Sequence, residues 1–146
     1  MNRPLPVSAR PRVLLVDDDA GVRAAVTRWL ARDCDVVGGV ADGRDLLDAA
    51  ARLQPDVILI DLNLADVNGL DVCRQVSQTI PQARVIVLSA DDDGAIRHEA
   101  FAAGAVAFVA KQQITEGLLP AIARVCADRT ASTVPAKAGP SPSITP

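Results

Sequence analysis

A chain of 146 residues with 49% hydrophobic and 23% charged residues has the size and balance of one globular domain with an ample core. Aromatic residues make up only 2% (Trp29, Phe101 and Phe108), which leaves little on which to stack single-stranded bases, and a net charge of -3 argues against a nucleic-acid backbone as partner. Cys34, Cys73 and Cys126 lie far apart without a Cys-x-x-Cys pair, and the chain has one histidine. They therefore read as reduced packing residues of a cytoplasmic protein rather than a disulfide framework or a zinc site.

Residues 1–11 hold three prolines and read as a flexible leader. Their positive charge is not followed by an apolar run, so they are not a secretory signal, and no apolar stretch approaches a membrane span. Beyond them two patterns alternate. Short β-branched runs at RVLLVD (12–17), CDVVGG (34–39), DVILID (56–61), RVIVLSA (84–90) and AVAFVA (105–110) predict five strands. Between and after them, apolar residues spaced by three and four predict helices over 20–32, 43–53, 69–80, 93–104 and 115–129. Pro120 falls inside the last and predicts a late start or a kink there. From Thr130 to Pro146 the composition turns to Pro, Ser, Thr and Ala without an acid, which reads as a disordered tail after a folded part of 12–129. Strands 3 and 4 are almost continuously apolar, as expected of a sheet covered on both faces, and five β–α repeats predict a doubly wound parallel α/β sheet. The pattern itself does not give the strand order.

In such sheets ligands bind outside the carboxyl ends of the strands. Strand 1 ends in Asp17-Asp18-Asp19, strand 3 in Asp61 with Asn63 two residues on, strand 4 in Ser89-Ala90, and strand 5 in Lys111. Asp19 suits the N-cap of the first helix. Asp17, Asp18 and Asp61, gathered at one edge, would repel one another unless a cation intervened, and hard carboxylate oxygens suit Mg²⁺. A divalent cation, the Lys111 ammonium, the Ser89 hydroxyl and one carboxylate are the parts that phosphoryl transfer to an aspartate requires.

With VLLVDDD, VILIDLNLADVNGL, VIVLSA and AFVAK in this order, residues 12–129 resemble the receiver domain of two-component response regulators of the chemotaxis-regulator type. The resemblance implies a flavodoxin-like, five-stranded parallel sheet in the order 2-1-3-4-5. It implies that Asp61 is the phosphoacceptor, that Asp17, Asp18, Asp61 and the backbone carbonyl of Asn63 hold Mg²⁺, and that Lys111 and Ser89 engage the phosphoryl group. Ser89 and Phe108 would be the switch pair, and Ala90 and Gly69 the small residues beside the site and at the start of helix 3. Asn63 and Asp91 are the candidates for tuning the lifetime of the phosphate. The implied partners are a sensor histidine kinase or histidine phosphotransfer protein upstream and a protein target on the face of helix 4, strand 5 and helix 5. Neither direct DNA binding nor membrane attachment is expected, and homodimerisation on phosphorylation stays open.

Three positions depart from the family pattern. Gln112 stands where many receivers have proline, so a cis bond after Lys111 is not expected, given its cost of about 3–4 kcal/mol without proline. Ala65 replaces another common proline, which would leave the loop after Asp61 less stiff. Residues 91–93 are a second Asp-Asp-Asp, in which Asp92 and Asp93 could cap helix 4. Phe108 lacks a tyrosine hydroxyl, so its inward position is expected even without phosphate. Arg97, His98 and Glu99 are the exposed candidates on helix 4, with His98 a solvated residue. No output domain is expected after residue 129, which reads as a stand-alone receiver with only self-catalysed phosphotransfer and autodephosphorylation. Two other readings remain: a receiver that binds its partner without phosphate, and a Mg²⁺-dependent aspartyl phosphatase of the haloacid-dehalogenase type. The latter is disfavoured because Asn63 stands where that family needs a second aspartate, and Asp61 lies on the third strand. Gly38-Gly39 is not the G-x-G-x-x-G of a dinucleotide-binding turn.

Overall fold

The structure, a computed structural model, describes residues 10–64 and 68–132, with side chains through residue 127. Each apolar run forms a strand: β1 (Arg12–Val16), β2 (Asp35–Val40), β3 (Val57–Asp61), β4 (Arg84–Ser89) and β5 (Ala107–Ala110). They alternate with helices α1 (Ala20–Leu30), α2 (Leu46–Leu53), α3 (Gly69–Thr79), α4 (Gly94–Ala102) and α5 (Ile114–Ser132). All pairings are parallel, in the order β2-β1-β3-β4-β5. This is the flavodoxin-like order that the resemblance implied.

Successive strand residues point to opposite faces. Leu14, Val16, Ile58, Ile60, Val85, Val87 and Phe108 pack with α2, α3 and α4. Val13, Leu15, Val57, Leu59, Ile86, Leu88 and Val109 pack with α1 and α5. Val13–Val16 and Val57–Ile60 are 0% exposed. Two covered faces therefore explain why these strands read as continuous apolar runs.

Glycine is required at two close approaches. A Cβ on Gly69 would lie 2.6 Å from the Cα of Leu62, so only glycine lets α3 start against the end of β3. Gly104 has φ +110°, and a Cβ there would also overlap the Ser77 side chain.

The described structure extends slightly past the expected bounds of 12 and 129 at each end. Arg10 and Pro11, assigned to the flexible leader, are anchored. The Arg10 guanidinium donates to the carbonyls of Ala31, Arg32 and Cys34 at 2.8–3.0 Å, and the Asp35 N–H donates to Pro11 O at 2.8 Å. An arginine fork satisfies carbonyls left over at the end of α1, a cation at the negative pole of a helix. At the other end, α5 runs through Thr130–Ser132, which were assigned to the tail. Pro135 lies far enough on to leave their backbone unconstrained. Helix α5 also starts at Ile114, well before Pro120. Pro120 is exposed, so the carbonyl its missing N–H leaves unpaired can meet water. Residues 43–45 form a separate 3-10 turn before α2. The rest of the leader, the stiffness expected around Ala65, and the tail from residue 133 lie outside the described residues. Among the described residues no peptide bond is cis, so Lys111–Gln112 is trans, and no helix is long and apolar enough to cross a membrane.

Candidate functional site

A parallel sheet puts all five carboxyl ends on one edge, and that edge gathers the charge. The Asp17 N–H donates to Val40 O at 3.0 Å, which carries the ladder one residue beyond β1 and buries the side chain completely. Its Oδ1 accepts the Asp19 N–H at 2.9 Å. Asp19 in turn caps α1, accepting from the N–H groups of Gly21 and Val22 at 2.8 and 3.1 Å. Asp61, the last residue of β3, is 2% exposed. Its Oδ1 accepts the Asn63 N–H at 2.9 Å. Its Oδ2 accepts from Lys111 Nζ at 2.8 Å, and the same ammonium reaches Asp17 Oδ2 at 3.4 Å.

One ammonium thus serves two buried carboxylates, and the exposed Asp18 brings a third. Oxygens of Asp17, Asp18 and Asp61 lie within 4.8 Å of one another. Burial pushes the Asp17 carboxyl above its ordinary pKa, and the Asp61 charge adds to this; the Asp19 N–H and Lys111 offset part of it. Burial would pull the Lys111 ammonium down, but the hydrogen bond and charge of Asp61, followed by Asp17, outweigh it and raise its pKa. An excess of negative charge in a compact all-oxygen cluster fits a hard divalent cation. Asp17, Asp18 and Asp61 are thereby brought together as a candidate metal centre, and the Asn63 backbone is held beside it.

Ser89 ends β4 with 2% exposure, and its Oγ accepts the Asp91 N–H at 3.1 Å. Asp91 itself is exposed beside it. Of the two capping candidates in the second triplet, Asp93 is the cap, accepting the Ala95 N–H at 2.7 Å, whereas Asp92 pairs with Arg97 at 2.6 Å. Phe108 is 8% exposed and packs in the core with Ala100, Ala103 and Ala105. Its ring faces the Arg97 guanidinium, whose carbon lies 4.6 Å from the ring centroid. Arg97 is therefore half-buried and engaged, unlike the exposed His98 and Glu99. Sequence reasoning missed this contact, and it missed Arg23, which donates to the Asp17 carbonyl at 2.6 Å. The only sequence signal for Arg97 was its place one turn after an acidic run.

A doubly wound parallel sheet with an aspartate cluster and a lysine at its carboxyl edge defines a receiver-like α/β domain. Residues 13–123 match the response regulator receiver domain family, and the chain belongs to that family. It is 33% identical to the chemotaxis protein CheY of Thermotoga maritima, over 68% of this chain and 84% of that protein. It is 31% identical to the transcriptional regulatory protein DegU of Brevibacillus brevis, over 76% of this chain and 48% of that protein. Against protein-glutamate methylesterase/protein-glutamine glutaminase 5 of Myxococcus xanthus the identity is 37%, over 92% of this chain and 40% of that one. Apart from the CheY match, the chain spans about half the length of the curated relatives it matches. Among solved structures, the response regulator domain of Thermotoga maritima CheB superposes with a TM-score of 0.73 at 31% identity, covering 80% of this chain and 96% of that one. A LuxR-family response regulator from Aurantimonas gives a TM-score of 0.77 at 30% identity, covering 82% and 87%.

Proposed function

We propose that this receiver takes a phosphoryl group from a phosphohistidine onto Asp61, with Mg²⁺ held by Asp17, Asp18, Asp61 and the Asn63 backbone carbonyl, and that the modification alters a protein-binding face. The observation that carries the proposal is the Asp61 carboxylate at the sheet edge, 2.8 Å from Lys111 Nζ and inside the three-aspartate cluster. An Asp61 oxygen attacks phosphorus, an acyl phosphate bond forms, the phosphorus–nitrogen bond breaks, and the leaving imidazole keeps the electron pair and takes a proton. Bound Mg²⁺ would offset charge between the carboxylates and the incoming phosphoryl oxygens. Lys111 already touches Asp61 and can follow the charge onto the phosphoryl group. The Ser89 hydroxyl, whose oxygen accepts the Asp91 N–H before phosphorylation, can turn to donate its hydrogen to a phosphoryl oxygen. Asn63, whose N–H bonds Asp61, and Asp91, whose N–H bonds Ser89, are the residues to which this reading gives the tuning of phosphate lifetime.

The chain's own side reactions are then autophosphorylation from small phosphodonors and loss of the phosphate to water. The output face is that of α4, β5 and α5; Phe101 on α4 is 44% exposed, and Val106 in the turn just before β5 is 39% exposed. Exposed apolar side chains there suit a protein partner. The test is intact mass after incubation with acetyl phosphate and Mg²⁺. The expected result is a gain of one phosphoryl group, absent with EDTA and in Asp61→Ala. No gain from either acetyl phosphate or a phosphorylated histidine phosphotransfer domain would overturn the proposal in favour of phosphate-independent partner binding.

A further inference from the structure

We propose that Arg97 is the moving latch of this receiver: it is docked on Phe108 and tied to the phosphoryl-site loop before phosphorylation, and released to the α4–β5–α5 surface after it. The release half rests on the phosphoacceptor reading above; the docked half stands on the contacts alone.

Three contacts run in series from the acidic site to β5. Ser89 Oγ accepts the Asp91 N–H at 3.1 Å. The next residue, Asp92, holds the Arg97 guanidinium at 2.6 Å. That guanidinium lies over the Phe108 ring, 4.6 Å from its centroid, where the negative face of the ring attracts a cation. Arg97 cannot simply follow the loop. Its backbone N–H donates to Asp93 O at 3.0 Å, and Asp93 also caps α4 through its side chain. If Ser89 turns toward a phosphoryl oxygen, its bond to the Asp91 N–H is strained or lost, and Asp92 shifts relative to α4. The latch then loses its tether.

Phe108 has no reason to move with it. The ring carries no hydroxyl to bring toward water, and it already packs in the core. A buried phenyl ring gains nothing from turning outward. The part that changes place is a charged group on the face proposed for the partner, so the signal presented there would be a guanidinium rather than an aromatic ring. Both ends of the tether are solvent-accessible, with Arg97 and Asp92 side chains 43% and 39% exposed, so the contact can be broken and remade.

The chain has two phenylalanines and no tyrosine, which makes the test direct. Protein labelled with 4-fluorophenylalanine should give two fluorine resonances, and Phe101→Leu assigns them. Without phosphate, the Phe108 resonance should shift in Arg97→Met and move the same way in Asp92→Asn, while Arg97→Lys stays near wild type. Acetyl phosphate with Mg²⁺ should move the wild-type Phe108 resonance toward its position in Arg97→Met, and Arg97→Met should respond little. Circular dichroism on each variant checks that the fold is retained, and intact mass on the same samples reads phosphorylation. A Phe108 resonance identical in wild type and Arg97→Met before phosphate would overturn the docked latch. A full phosphate response in Arg97→Met would overturn the release. Absence of any mass gain in wild type would sink the phosphoacceptor reading and the release with it, yet leave the docked state decided by the first comparison.

Discussion

The chain contains Asp-Asp-Asp twice, each time between a strand of the sheet and the helix after it. Residues 17–19 follow β1 and residues 91–93 follow β4. The third aspartate does the same thing in both: Asp19 caps α1 and Asp93 caps α4. The first two diverge. Asp17 is buried beside Asp61 and Lys111, and Asp18 joins that cluster. Asp91 stays exposed with its N–H on Ser89, and Asp92 pairs with an arginine on the very next helix. Capping needs only the helix that follows, so it is set locally. The fate of the other two depends on register. β1 and β4 both flank β3, but Val16 pairs with Ile60, so Asp17 stands level with Asp61, whereas Asp61 pairs with Leu88, which leaves Asp91 three residues beyond that level.

This contrast can be broken most sharply at Lys111. Replacing it with methionine leaves two buried carboxylates without their ammonium, and the metal-free protein should lose about 2–4 kcal/mol in urea melts at neutral pH. The sign of the pH dependence follows from Asp17. Its pKa is raised in the folded state by burial, so its contribution is most favourable below the unfolded value of 3.8 and is lost as pH rises through the higher folded value. The deficit of Lys111→Met should therefore shrink as pH falls through that window, because a protonated Asp17 needs no partner. Equal destabilisation at low and neutral pH would contradict this account.

Mg²⁺ should sharpen the same contrast. At ten times its dissociation constant it should stabilise the native protein by about 1.4 kcal/mol, a few degrees in Tm, and more at pH 7 than near pH 4, where protons compete for the cluster. Asp18→Ala should abolish the shift, while Asp92→Ala should keep it. Thermal melts with and without Mg²⁺ on these two variants give the answer directly.

The shared role predicts a matched pair. Asp19→Ala and Asp93→Ala should each cost about 1 kcal/mol, the ordinary value of an N-cap. Chemical denaturation that found one of them neutral would show that its helix end is held by something other than the cap. The smallest effect belongs to Asp92→Asn. Its partner is half-exposed, so stability should fall by less than about 1 kcal/mol.

Much of this was legible in the sequence because it is local or periodic. Short, β-branched apolar runs at 57–60 and 85–88 read as strands covered on both faces, and the acids, Ser89 and Lys111 stand immediately after such runs. In a parallel sheet, standing at a strand's carboxyl end already fixes the edge a residue occupies. The strand order came from family resemblance, since periodicity carries no information about which strands are neighbours. Arg10 was hidden because its partners are carbonyls more than twenty residues away, and a proline-rich leader looks the same whether or not one arginine folds back on a helix end. Arg97 looked like a surface residue because its spacing marks only a helix face. Its contact with the Phe108 ring depends on the aromatic of a neighbouring strand.

By itself, then, the sequence determined the elements, the Asp19 cap and the set of chemical groups at one edge of the sheet, because backbone periodicity and side-chain type act over a few residues. Only the tertiary structure decided that Lys111 is shared between Asp17 and Asp61, and that Arg97 lies on Phe108. Those pairings join residues brought together by strand order and helix packing. Their strength comes from burial, which exists only once the layers have closed.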